Sequence, residues 1–234
     1  MINRSILLFL FFVLSISCKK EAPKIEDGVL SFIRGDVKIQ RGASLITADK
    51  NTKIQNGDII LTSNESTAIV EFGDSTSIEI QSGSKFKIED TGDNKKFFQD
   101  EGNSWIQTQK LKANHSLIYS TPTTAAGVRG TKFYSFQFGD DIRGTCHCEG
   151  TIEYQNLKSN EKKVNDQDYM VFYKGEKSIV ITSEDLKTLP HVPENLDHDH
   201  SELDNSKLGK HANTDPDFRK EFSELVFKKF QEIE

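Results

Sequence analysis

Apolar and polar side chains alternate with a period of two through most of this sequence. Apolar positions two residues apart recur about every ten residues from position 29 to 182, as in Val37 and Ile39, Ala68, Val70 and Phe72, Ile78 and Ile80, Phe86 and Ile88, and Ile179 and Ile181. A strand with this pattern buries one face and exposes the other. Turn signals such as Asn56-Gly57-Asp58 and Ser82-Gly83-Ser84 separate the pairs. The pattern predicts an all-β fold in which short strands form a sandwich, a barrel or a solenoid-like stack.

The segment Thr121–Phe133 joins two of these strand-like stretches. Pro122 cannot donate to a sheet ladder, so we expect it at a strand start or at an edge. Gly127 and Gly130 are expected where the backbone needs a positive φ or where strands approach closely. Arg129 lies between an apolar residue and a glycine, and we expect it to be buried, with its guanidinium bonded to loop carbonyls. The alternative is an ordinary β-turn with a solvated Arg129.

The same segment carries every fixed position of the pattern T-P-x-x-x-x-G-V-R-G-T-x-F, and in this it resembles the signature of FecR-type domains. We call it the signature segment. Its fixed positions are Thr121, Pro122, Gly127, Val128, Arg129, Gly130, Thr131 and Phe133. Further stretches resemble other elements of that family, in the family's order: Gly28–Val37, Ile54–Thr62, Ala68–Ser75 and Cys148–Tyr154. The resemblance implies a solenoid-like β-domain over residues 28–183 and structural roles for the signature residues.

The N-terminus has the layout of an export signal. One cation, Arg4, precedes the apolar run Ile6–Leu14, which is too short to span a bilayer comfortably. Small residues then lead to Cys18 in a loose version of a lipobox. We therefore expect a signal peptide over residues 1–17, lipidation of Cys18 and a polar tether over residues 18–27. The protein would then be an exported lipoprotein of the cell envelope, on the periplasmic face or at the outer membrane. The alternative is a secretory signal that is cleaved elsewhere.

The net charge and the motifs of the sequence argue against several classes of function. The formal net charge is −6 and the basic residues are scattered, which argues against nucleic acid as a partner. The FecR regulators have a cytoplasmic anti-sigma segment and a transmembrane helix, and we see neither here, so the resemblance implies the domain without the anti-sigma activity. No hydrolase, metalloprotease, phosphate-loop or dinucleotide motif occurs, and we expect no enzymatic activity. We expect a lipid-anchored module that binds another envelope or surface protein in signalling, assembly or adhesion.

The alternation ends after Ser183. Residues 184–213 are polar and contain two prolines, which predicts a linker or a wrap over the β-domain. Asp215 and Pro216 then provide an N-cap and a first-turn proline. Apolar residues follow at helical spacing: Phe218, Phe222, Leu225, Val226 and Phe230. We predict an amphipathic α-helix over residues 214–233 that docks on the β-domain, and the alternative is a helix that binds a partner or a membrane surface.

Two groups of residues could bind a soft metal. Cys146 and Cys148 are two residues apart in a strand-like stretch, so alternation would point both thiols to one face. His198 and His200 alternate in the same way within the polar tail. Together these four side chains could bind zinc or copper in a metal- or redox-responsive protein, which is the alternative function. We favour buried core thiols over this metal site, and a strained disulfide is the remaining possibility.

Overall fold

The computed structural model describes residues 28–73, 76–166, 169–191 and 216–233. Within these ranges the chain forms eighteen β-strands and two α-helices. The strands are arranged in two nine-stranded sheets, and the sheets enclose an apolar core. The prediction of stacked short strands with a C-terminal α-helix is therefore confirmed. In this part of the chain no helix is long and apolar enough to cross a membrane.

Nine antiparallel strands form sheet A. In spatial order they are β18 (Lys177–Thr182), β17 (Tyr169–Lys174), β14 (Ile142–Glu149), β13 (Lys132–Phe138), β10 (Ser104–Thr108), β7 (Thr76–Ile80), β6 (Thr67–Phe72), β1 (Gly28–Arg34) and β4 (Lys53–Ile54). Sheet B also has nine strands. In the same spatial direction they are β16 (Lys162–Asn165), β15 (Ile152–Asn156), β12 (Thr124–Val128), β11 (Ser116–Ser120), β9 (Asn94–Glu101), β8 (Lys85–Asp90), β5 (Ile59–Thr62), β2 (Val37–Arg41) and β3 (Ser44–Thr47). Among the strands that the structure describes, only β9 and β11 pair in parallel.

Both sheets grow in the same direction as the chain proceeds. The chain adds one or two strands to one sheet, crosses to the other sheet and adds the next strands there. The result is a two-layer stack with solenoid-like progression, in which β18 and β16 are the edge strands at one end and β4 and β3 at the other among the residues described. Apolar side chains from both sheets meet between the layers, among them Leu30, Ile39, Phe86, Phe97 and Val171. This interior is the core that the period-two pattern predicts.

The loops lie along two rims of the stack. Strand pairing places the start of β1, the end of β10 and the start of β13 on one rim, which we call the Gly28 rim. The end of β12 belongs to this rim too, because only three residues separate it from β13. The opposite rim, the Pro122 rim, contains the turn between β11 and β12 and the turn between β13 and β14.

A second apolar cluster covers the outer face of sheet A. Helix α1 spans Ser183–Leu186 and helix α2 spans Pro216–Gln231. Four side chains of α2 are buried in this cluster: Phe218, Phe222, Val226 and Phe230. They pack with sheet residues such as Phe136, Phe138 and Phe172. The C-terminal helix therefore docks on the β-domain, as its apolar face predicts.

Helix α1 was not expected from the sequence, because it lies at the start of the stretch predicted as a linker. A capping box explains it. The hydroxyl of Thr182 accepts from the backbone of Asp185, and the Asp185 carboxylate accepts from the backbone of Thr182. Lys229 of α2 also donates to Asp185 at 2.8 Å, so the two helices are joined by an ion pair. Partial burial would raise the pKa of Asp185, but the hydrogen bonds from Lys229 and Thr182 together outweigh it and lower this pKa.

Candidate functional site

The signature segment crosses sheet B once and links the two rims. It begins in the turn before β12 on the Pro122 rim, continues as β12, and ends in the three-residue connection to β13 on the Gly28 rim. Because β12 lies in sheet B and β13 in sheet A, the segment also joins the two layers. It therefore has an inward face, an outward face and a turn at each end.

Buried hydroxyls hold the first turn. Thr121 is buried, and its Oγ1 accepts hydrogen bonds from the backbone N–H groups of Thr123, at 3.3 Å, and Thr124, at 3.1 Å. The N–H of Thr121 donates to the carbonyl of Thr124 at 2.8 Å. A side chain that replaces backbone partners in this way fixes a tight turn. Pro122 is exposed in the same turn, just before β12 begins.

Close backbone packing holds the second turn. Gly130 has a φ of +65°, and a Cβ added there would lie 2.8 Å from Cα of Lys110. Gly150 has a φ of +93°, and its added Cβ would lie 2.5 Å from the carbonyl oxygen of Gly130. Gly130 thus has both the positive φ and the close approach that the sequence suggested. Thr131 and Phe133 follow it into the interior and are buried.

Arg129 is exposed, so the expectation that it is buried is wrong. Val128, the residue before it, is 2% exposed and points into the core, and alternation therefore directs Arg129 outward. Its guanidinium makes no hydrogen bond or ion pair with the residues described. Lys110 and Lys112 in the neighbouring loop are exposed as well. The second turn therefore presents three cations on the Gly28 rim.

The expectation that Gly127 needs a positive φ or a close approach is wrong, because Gly127 differs from Gly130 in both respects. Its φ is not positive, and an added Cβ would meet only the carbonyl oxygen of Glu153, at 4.0 Å. It is exposed on the outer face of sheet B, opposite Ile118 of β11, whose side chain is 39% exposed. Outward positions of β11 and β12 form a flat surface, which we call the Gly127 face: Ser116, Ile118, Ser120, Ala125 and Gly127.

Cys146 is a buried thiol in the cluster on the outer face of sheet A, as expected for a core residue. The pairing of β14 with β13 passes from His147 to Glu149 and skips Cys148, which marks a bulge. The side chain of Cys148 and residues His198 and His200 lie outside the described parts. In those parts no three His, Cys, Asp or Glu side chains are placed to hold a metal, and the metal site stays a prediction.

One buried carboxyl was missed by the sequence analysis. Glu79 of β7 lies on the outer face of sheet A, between Ile69 and Trp105 of the neighbouring strands, and it is 3% exposed. Gln81 donates to its Oε1 at 3.3 Å, and its Oε2 has no hydrogen bond among the residues described. Burial raises the pKa of Glu79 to about 7, against smaller opposing effects of Gln81 and Arg34. Alternation alone places Glu79 on a solvated face, so no pattern in the sequence indicates its burial.

Comparison with known proteins identifies part of this architecture. Residues 58–153 match the sequence model of the family described as FecR protein, and the match includes the whole signature segment. No curated protein matches the chain. Two crystal structures of a "putative anti-sigma factor" from Parabacteroides distasonis ATCC 8503 are similar, each with a TM-score of 0.46 and 13% sequence identity. Each similarity covers 53% of this chain and 57% of the other. A likeness this distant does not bear on function.

Proposed function

We propose that this chain, whose residues 58–153 match the FecR family, is a non-enzymatic lipoprotein of the cell envelope. Acyl chains on Cys18 would anchor it, and the Gly127 face would bind another envelope or surface protein in signalling, assembly or adhesion. The observation that carries the protein-binding part is the exposed glycine at position 127, which neither the backbone conformation nor the packing of the domain requires.

A glycine within a strand weakens it, because the unfolded chain gains entropy and the sheet loses a packing side chain. At Gly130 this cost is explained by a positive φ and by the Lys110 backbone, which leaves no room for a Cβ. At Gly127 the space above the Cα is open. Such a position is explained when another backbone or a ligand approaches the strand closely. The partner is therefore expected to lie flat against β12.

The surroundings of Gly127 suit a protein partner. Ile118 provides an exposed aliphatic side chain directly across from it, and Ser116, Ser120 and Ala125 are small. The hydroxyls of Ser116 and Ser120 are already bonded, to Asn94 and to the carbonyl of Phe97, so they need no partner of their own. A flat patch with an apolar centre and satisfied polar groups resembles the centre of a protein interface.

The test is a pull-down from membranes with the intact protein and with Gly127→Val. Valine favours a strand and has room here, so the variant should melt at the same temperature or higher and should recover at least tenfold less partner. Gln40→Val is the matched control, because Gln40 is exposed on the outer face of the same sheet at the opposite end of the stack. A folded Gly127→Val variant that recovers the partner as well as the control does would show that this face is not the binding site.

The anchor has a separate test. Cys18→Ala should move the protein from the detergent phase into the aqueous phase, because each buried methylene of an acyl chain contributes about 0.8 kcal/mol to membrane binding. If the variant stays in the detergent phase and keeps its acyl label, Cys18 is not the lipidation site.

A further inference from the structure

We propose that the Gly28 rim of the domain rests on the anionic surface of the membrane that anchors it, with Lys110, Lys112 and Arg129 against the lipid headgroups. This inference rests on the proposed acylation of Cys18. It commits the domain to one orientation, in which the Pro122 rim points away from the bilayer and the Gly127 face, which lies between the rims, stays open to a protein partner.

A short stretch of chain joins the proposed anchor to the domain. Ten residues, Cys18–Asp27, precede Gly28 in the sequence. Fully extended they reach at most about 35 Å, at roughly 3.3–3.6 Å per residue. Gly28 opens β1 on the same rim as the second turn of the signature segment. The tether therefore enters the domain at the Gly28 rim, which makes this rim the end of the domain that is joined to the anchor.

The chain as a whole is acidic, with a formal net charge of −6, yet the middle of the Gly28 rim presents exposed cations. Lys110, Lys112 and Arg129 are all exposed, and none makes an ion pair with the residues described. The contact of Gly130 with the Lys110 backbone holds the two loops together, so the three charges belong to one surface.

The charges on the opposite rim have a different balance. On the Pro122 rim the exposed acidic side chains outnumber the exposed basic ones: Asp36, Glu65, Glu101, Asp140, Asp141, Glu161 and Glu176 against Arg34, Lys158, Lys162 and Lys177. The Gly28 rim also exposes acids, Glu71, Glu89, Asp166 and Glu184, but its exposed cations outnumber them: Lys53, Lys110, Lys112, Arg129 and Lys187. Asp93 on this rim lies 3.5 Å from His115. An anionic lipid surface would therefore attract the Gly28 rim more strongly than the Pro122 rim. Each cation near such a surface strengthens binding by about fivefold, which gives about 100-fold for three.

The domain does not need the Arg129 side chain for its own packing, since it is exposed and makes no bond to the described residues. The turn nevertheless fixes the direction of this side chain, because Val128 is anchored in the core on one side and Gly130 is packed against Lys110 on the other. An outward cation on a rigid turn is suited to a flat, charged surface.

The test measures which rim lies near the lipid. Full-length acylated protein is reconstituted into vesicles whose headgroups carry a quencher, with a fluorescent amino acid at Ala113 on the Gly28 rim or at Asp141 on the Pro122 rim. In phosphatidylglycerol-containing vesicles we expect the probe at position 113 to be quenched several-fold more than the probe at position 141. The difference should shrink in pure phosphatidylcholine and at high salt, because salt screens exposed charges.

Charge variants isolate the cause. The triple variant Lys110→Gln, Lys112→Gln, Arg129→Gln should lose the difference between the probes and stay in the vesicles. A single Lys158→Gln control on the other rim should keep the difference. Equal quenching of both probes in anchored protein would overturn the orientation, and so would a triple variant that keeps the difference. A triple variant that keeps the difference and loses the pulled-down partner would assign these cations to a protein. Failure of the wild-type protein to stay in vesicles would instead refute the anchor.

Discussion

Replacement of Phe222 by alanine should detach α2 from sheet A or weaken its packing severely. Phe222 is 1% exposed, and its ring centroid lies 5.3 Å from those of Phe136 and Phe138 and 5.6 Å from that of Phe172. Truncation of a buried phenylalanine typically costs about 3–5 kcal/mol, because apolar contact is lost and a cavity remains. The aromatic edge-to-face contacts add to this loss.

The helix supplies its own control. Phe227 is also in α2, but its side chain is 39% exposed, so Phe227→Ala should cost less than about 1 kcal/mol. Both substitutions change the intrinsic helix propensity equally, by roughly 0.5 kcal/mol in favour of alanine. The difference between the two variants therefore measures packing alone, and we expect it to be about 3 kcal/mol.

Urea denaturation would give the free energy of unfolding, and amide hydrogen exchange would show where protection is lost. In Phe222→Ala we expect exchange to accelerate throughout Pro216–Gln231 before the strands of sheet B are affected. Equal effects of Phe222→Ala and Phe227→Ala on unfolding and on exchange would refute the conclusion that the Phe222 side anchors the helix.

Three further variants test single features of the structure. Burial raises the pKa of Glu79 from 4.5 to about 7, so the folded state should lose stability as the pH rises from 4.5 to 7. Glu79→Gln should remove that loss. Urea denaturation at pH 8 should then show a free energy of unfolding that is higher than that of the wild type by up to about 3 kcal/mol. Gly130→Ala should cost more than about 1 kcal/mol and Gly127→Ala should cost nothing, as differential scanning calorimetry would show, because only Gly130 has a positive φ and a crowded Cα. Arg129→Ala should leave the melting temperature within about one degree of wild type, whereas a drop of several degrees would mean that the side chain does support the turn.

The strands could be predicted because a period of two reports one buried face per strand. The sheet to which each strand belongs could not be predicted in this way. Gly35–Asp36 carries the chain from sheet A to sheet B, whereas Gly42–Ala43 closes a hairpin within sheet B, and both connections are two residues long. Glycine at the turn permits both geometries. The choice depends on which apolar faces meet in the folded core, and the local sequence does not contain that information.

The second covered face of sheet A explains why Glu79 was missed. Strand β13 is apolar on both faces, with Phe133 in the central core and Tyr134 and Phe136 in the outer cluster. A strand of that kind indicates burial on both sides. The pattern of β7 contains no such sign, because Glu79 is flanked by Ile78 and Ile80 and fits a half-exposed strand. Its burial comes from neighbours that are distant in the sequence, such as Trp105.

The signature segment contains residues that the fold requires and residues that it does not require. The hydroxyl of Thr121 closes one turn, and the positive φ of Gly130 allows the other. Substitution of either residue should therefore lower the stability of the domain. Gly127 and Arg129 belong to the same motif, yet one has open space above it and the other is exposed without a bond to the described residues. The sequence alone cannot divide the motif in this way, because the φ of Gly130 and its contact with Lys110 arise only when two loops meet. The division decides where function should be sought: a substitution at Gly127 or Arg129 that changes binding cannot be explained by damage to the core, whereas one at Gly130 can.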